Sequence, residues 1–177
     1  MNEMNETKGS STMYLHLTFG TEDFLQKLKN KYLNESFIFA SNVQKSIILY
    51  PSTTKKSVFQ MPQVFEILEQ TSKAAPKKVI STHRFHVDKE NQSTIEFHLK
   101  NAYFEICHLY QPVESFLLLE QKNKSIMVLF VWEHELTYKQ FQTSMLYERL
   151  INIKKFYNSN DEAFFTPYLE QSYYIIE

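Results

Sequence analysis

The chain has 177 residues, of which 43% are hydrophobic and 15% aromatic, with a formal net charge of −1. That is enough apolar material for a sizeable core, and it excludes a disordered polypeptide. Near-neutral charge with only two arginines, Arg84 and Arg149, excludes a nucleic-acid surface and a polybasic membrane anchor. The single cysteine, Cys107, excludes an internal disulfide and a thiolate metal cluster.

Residues 1–12 read as a polar tail without the apolar stretch of a secretion signal, and no apolar run approaches the roughly 20 residues that span a bilayer. Both point to a cytoplasmic protein with no transmembrane segment. "MYLHLTFG" (13–20) alternates as a strand does. Thr21 is placed to cap a helix with Glu22 and Asp23 in its first turn, and Phe24, Leu25, Leu28 and Tyr32 fall at helical spacing. Strand-like runs follow at 37–41, 46–52 and 57–62, whereas "QVFEILEQ" (63–70) suits either strand or helix. "TSKAAPKK" (71–78), with Pro76, is the best linker, and no repeat is evident between the parts it joins. Those parts are 13–76, a small α/β unit, and 77–177.

The second part reads more regularly. Residues 77–87 form a strand. Asp88 can cap a helix from about 89 to 109, with Ile95, Leu99, Ala102, Ile106 and Leu109 on one stripe. Strands at 115–121 and 125–132 make a hairpin through Lys122-Asn123-Lys124. A second helix is expected from about 135 to 156, with Tyr138, Phe141, Met145 and Leu150 on its stripe, and 168–177 closes as a strand. The order is βαββαβ, a ferredoxin-like α+β arrangement. In 125–132 both strand faces are apolar, so both must be covered, while two helices cover only one. The other face needs the N-terminal part, a ligand or another subunit.

The chemistry-bearing residues are few. With two glycines in the whole chain there is no GxGxxG, Walker or GxSxG pattern, which sets aside dinucleotide-binding, P-loop and α/β-hydrolase sites. Trp132, the only tryptophan, stands at a strand end as either a core side chain or a cavity wall. His83 and His86 in "HRFH" point to opposite sides of a strand, and His98 and His108 are almost three helical turns apart, so neither pair chelates a metal. Tyr147 and Arg149 read as surface or interface residues of the second helix. Composition and spacing therefore stop at an α+β protein, without naming a reaction.

"MYLHLTFGTEDFLQKLKNKY", "SVFQMPQVFEIL", "VLFVWEHELTYKQFQ" and the closing "SYYIIE" resemble the antibiotic-biosynthesis-monooxygenase-like family, both its HmoB-type heme-degrading monooxygenases and its staphylococcal TRAP-type proteins. The resemblance runs from Met13 onward. It implies a ferredoxin-like domain that pairs into a dimeric α+β barrel in a homodimer, with heme or another flat apolar molecule as ligand. In the heme-degrading members an asparagine, a tryptophan and a histidine line the site. Trp132 matches the tryptophan and would hold the catalytic position. The asparagine's place falls at His83 or Arg84, and the histidine's near Ile151, leaving Tyr147, one turn back, as the nearest replacement. The resemblance thus implies cofactor contacts from Trp132, Tyr147, His83 and Arg84, and oxidative heme cleavage if the protein is active. The alternative is a non-catalytic TRAP-like signalling or stress protein using the barrel as an interaction module. A third class is a cofactor-free oxygenase of small aromatic substrates.

Overall fold

The computed structural model describes residues 11–120, 122–153 and 168–176. Its elements run β1 (Tyr14–Gly20), α1 (Glu22–Lys31), β2 (Ile38–Ser41), β3 (Ser46–Ser52), β4 (Gln63–Ser72), β5 (Val79–His86), α2 (Gln92–Tyr110), β6 (Glu114–Glu120), β7 (Ser125–Trp132), α3 (Glu135–Gln142), α4 (Met145–Asn152) and β8 (Tyr168–Ile175). The strands close one antiparallel barrel in the order β1-β3-β2-β8-β5-β7-β6-β4.

That order resolves into two half-barrels. The C-terminal half, β8-β5-β7-β6, is the ferredoxin-like sheet expected from βαββαβ. The N-terminal half, β4-β1-β3-β2, has the same strand order, so the chain contains a topological repeat that its sequence does not display. In that half the segment 53–62 stands where the second helix belongs, and it is not the strand its composition suggests. Two seams join the halves. β4 pairs β6 from Glu66↔Leu119 to Ser72↔Glu114 with a register shift at Ile67/Glu69, whereas β2 meets β8 only at Ala40↔Ile175 and Ser41↔Tyr174.

The apolar double face of β7 is thereby explained. Met127, Leu129 and Val131 point into the barrel with Leu15, Leu17, Leu49 and Phe65; Ile126, Val128, Phe130 and Trp132 point outward under α2, α3 and α4. The second layer is the chain's own N-terminal half, so no second subunit is needed to cover that face. A third, smaller cluster, Leu25, Phe39, Ile48, Tyr50 and Phe59, lies under α1.

Several local expectations are corrected. The helix expected over 135–156 breaks at Thr143-Ser144: Ser144 turns extended (φ −92, ψ 157) and its hydroxyl accepts the Tyr147 N–H, capping a new helix, and residues beyond Ile153 up to 167 lie outside the description. The break rotates Met145 off the stripe and into solvent. α2 starts at Gln92 after Asn91 rather than on Asp88, and Leu109, in its last turn, is exposed. β4 resolves the strand-or-helix ambiguity of 63–70 in favour of a strand, held on both edges. Among the described residues no helix is long and apolar enough to cross a membrane.

Candidate functional site: a buried histidine beneath the helix layer

Strand alternation separates the expected site residues. On β5, Val79, Ser81, His83 and Phe85 face α2–α4, while Ile80 and Arg84 face the barrel interior. His83 therefore joins Trp132 and Tyr147, and Arg84 does not. Arg84 donates to Glu120, to Gln63 Oε1 (3.2 Å) and to Ser125 Oγ (3.0 Å), and lies over the Phe65 ring. Its partner Glu120 is itself buried. A paired, hydrogen-bonded ion pair at the barrel end is a structural use of that arginine.

Trp132 is fully buried. Phe141 and Tyr138 of α3 lie stacked against it, with ring centroids 5.3 and 5.8 Å away and interplanar angles of 28° and 29°. Its Nε1–H donates to Ser81 Oγ at 2.9 Å. The tryptophan thus has its polar handle satisfied and its ring packed by the chain itself.

Behind it sits His83, also wholly buried, ringed by Phe130, Phe141 and Tyr147 edge-on and by Tyr168 stacked, all at 6.1–6.2 Å. Its Nδ1 is 2.9 Å from the Tyr168 hydroxyl. That hydroxyl in turn approaches Glu170 Oε2 at 3.3 Å, and the same carboxylate accepts from Tyr147 (2.5 Å) and Tyr138 (3.1 Å). One carboxylate thus gathers three phenols. The Tyr168 proton can go to Glu170 or to His83 but not to both. In the first case His83 Nδ1–H donates to Tyr168 and Nε2 is a bare lone pair; in the second Nε2–H is an unpaired donor. In both, Nε2 is buried without a hydrogen-bond partner among the described residues.

The electrostatics follow from burial. Desolvation pulls the His83 pKa down to about 4, with Glu170 opposing it, so the imidazole is neutral at pH 7. Burial and the adjacent Glu170 push the Tyr147, Tyr138 and Tyr168 hydroxyls well above the ordinary phenol range. The cluster is therefore a neutral imidazole and protonated phenols around one carboxylate. Tyr147, Tyr168 and Glu170 are only partly buried and form its outer edge.

Glu170, Tyr168 and Tyr138 are the site members that sequence reasoning misses. Tyr168 and Glu170 are two apart on the closing strand and so share a face, but nothing in sequence says which face. His16 is missed as well. It stands on the first strand of the N-terminal half as His83 does on that of the C-terminal half, also fully buried and facing outward. His16 is stacked on Tyr50 (4.9 Å, 16°), its Nε2 donates to the Thr54 carbonyl at 2.7 Å, and its Nδ1 has no partner among the described residues.

Two ferredoxin-like halves closed into one barrel, with helices over the C-terminal half, define the class of architecture. No protein-family model matches the chain. Solved structures do. An uncharacterised ferredoxin-fold protein related to antibiotic biosynthesis monooxygenases, from Listeria monocytogenes, superposes with a TM-score of 0.77 at 17% identity, covering 95% of this chain and 96% of that one. A major regulator of staphylococcal pathogenesis gives 0.75 at 16% identity, with 93% and 99% covered. LmHde, a heme-degrading enzyme of Listeria monocytogenes, gives 0.70 at 16% identity, with 91% and 98% covered. The structural neighbours are antibiotic-biosynthesis-monooxygenase-like ferredoxin-fold proteins, and at these identities the likeness shows the fold.

Proposed function

We propose that the protein is a non-catalytic, TRAP-like signalling or stress protein that uses the barrel as an interaction module. One observation carries this reading: the space a flat ligand would occupy against Trp132 is filled by Phe141 and Tyr138. A porphyrin needs a slot one ring thick, and in this arrangement the residues do not fit heme. On the resemblance, the histidine of the heme-degrading members falls near Ile151, where this chain has none. Tyr147, the candidate replacement, gives its hydroxyl to Glu170 at 2.5 Å and would have to lose its proton beside that carboxylate to bind iron. The reading carries a cytoplasmic location and a homodimer that joins two already closed barrels.

A second reading, a heme-degrading monooxygenase, is favoured by a different observation. In the tautomer whose Nδ1–H donates to Tyr168, the Nε2 of His83 is a bare lone pair without a partner among the described residues, the donor pattern of an oriented metal-ligating imidazole, and it lies in the same layer as Trp132. It requires α3 to part from the sheet. A heme titration of the purified protein, read at the Soret band and continued with ascorbate and catalase, separates the two. The non-catalytic reading expects neither saturable binding nor Soret loss. Stoichiometric binding followed by Soret loss, abolished in His83→Leu, overturns it in favour of the second.

A further inference from the structure

The N-terminal half holds a groove that the aromatic cluster does not share. It lies between α1 and the irregular 57–61 segment, with a volume of about 400 Å³, within the range of small-molecule sites. Its floor is apolar: Phe19, Phe24, Leu28, Val58 and Phe59, with Met61 at the edge. Phe24 is 53% exposed and Met61 86%, a cost in exposed apolar surface that packing within the chain does not remove.

The walls are held in place before any ligand arrives. The Tyr50 hydroxyl accepts the Val58 N–H at 2.9 Å, the Phe59 N–H donates to Ser57 Oγ at 3.1 Å, and Thr18 Oγ1 donates to the Met61 carbonyl at 3.1 Å. Phe59 packs edge-on against Tyr50 at 5.3 Å. An irregular segment bonded in this way behaves as a fixed wall, which lowers the ordering cost of binding.

Charge chooses the occupant. Lys27 and Lys31 line the groove one helical turn apart on the α1 face that carries Phe24 and Leu28. Both are exposed, and neither has a carboxylate partner among the described residues; Lys31 lies over the Tyr32 ring instead. Among the described residues no acidic side chain lines the groove. An apolar floor with two unpaired ammonium groups on one side complements an alkyl chain bearing one anionic head.

We propose that this groove binds single-chain anionic amphiphiles, tail on the Phe24–Met61 floor and carboxylate at Lys27 and Lys31. The test is calorimetric titration of the full chain with laurate, below the concentration at which laurate forms micelles, with dodecyltrimethylammonium as the cationic control. Laurate is expected to saturate at one per chain and to bind at least tenfold tighter than the cationic control. The Lys27→Glu/Lys31→Glu double variant is expected to lose at least tenfold of laurate affinity, as is Met61→Asp at the edge of the floor. All three positions are exposed, and an unchanged thermal transition verifies that the variants fold. Absence of saturable laurate binding, equal affinity for the cationic amphiphile, or undiminished affinity in the variants overturns the proposal.

Discussion

The two halves of the barrel start from one strand order and end in different states. Each places a buried histidine on the outer face of its first strand, with one ring nitrogen held and the other without a partner among the described residues. Over His83 the C-terminal half lays α2, α3 and α4 and builds a continuous aromatic cluster. Among the described residues the N-terminal half has α1 and the 53–62 segment over it, and its outer cluster has five buried members, Leu25, Phe39, Ile48, Tyr50 and Phe59. The closed half carries the stabilising outer core, and the open half retains a groove. Helix cover fills the space over Trp132 and His83, whereas the groove beside α1 stays open to solvent.

The largest effect should come from breaking the closed half. Trp132→Ala removes a fully buried indole against Phe130, Phe141 and Tyr138, and should cost about 3–5 kcal/mol in urea unfolding, as large aromatic truncations in cores do. Met61→Ala, on the exposed edge of the other half, should stay within about 0.5 kcal/mol. Comparable losses from both would mean that the Met61 edge is packed as firmly as the Trp132 cluster and is no open groove.

A smaller effect reads the buried imidazole. With its pKa held near 4 in the folded chain and near 6.5 when unfolded, His83 takes up its proton in the unfolded state first as pH falls. The unfolded state then binds more protons, so stability rises with pH across this window and is lost as pH drops from about 6.5 towards 4, up to about 3 kcal/mol in all. Burial lowers the His16 pKa too, against the Thr54 hydrogen bond and Glu35, so it adds loss of the same sign. Unfolding curves of the native chain and His83→Leu from pH 4 to 7 measure the difference. The variant should show a shallower slope; identical slopes would place the titration elsewhere.

How much of this was legible in sequence follows the same division. In the C-terminal half, period-two and helical patterns located β5, β6, β7, α2 and β8 to within a few residues, because each buries a face against one continuous core. The N-terminal half was harder to read: β4 is paired on both edges over residues that suit helix or strand, and the 57–62 run is bonded by side chains rather than by a neighbouring strand. The repeat is not visible in sequence because it resides in strand order, which long-range pairings such as Tyr14↔Glu66 and Val79↔Tyr174 determine. For the site, Trp132, His83 and Tyr147 were readable as candidates. Separating His83 from Arg84 required knowing which face of β5 meets helices. Glu170 required knowing that β8 lies beside β5, in the pairing His83↔Glu170.

The smallest prediction concerns the joint that shapes the helix layer. Ser144 Oγ accepts the Tyr147 N–H at 3.1 Å and donates to the Phe141 carbonyl at 2.6 Å, so it ties the end of α3 to the start of α4. Phe141 covers Trp132 and Tyr147 reaches Glu170, so both contacts of the closed half depend on that joint. Ser144→Ala should cost about 1 kcal/mol, the usual loss for an N-cap, and lower the thermal midpoint by roughly 2–4 °C in a chain of this size. The decisive readout is where the loss falls. Amide exchange should quicken at Tyr147, whose N–H donates to the Ser144 hydroxyl, and stay unchanged along β3 in the other half. A uniform increase across both halves would mean that the barrel opens as one unit, and that the helix layer is no more separable from the N-terminal half than the strands beneath it.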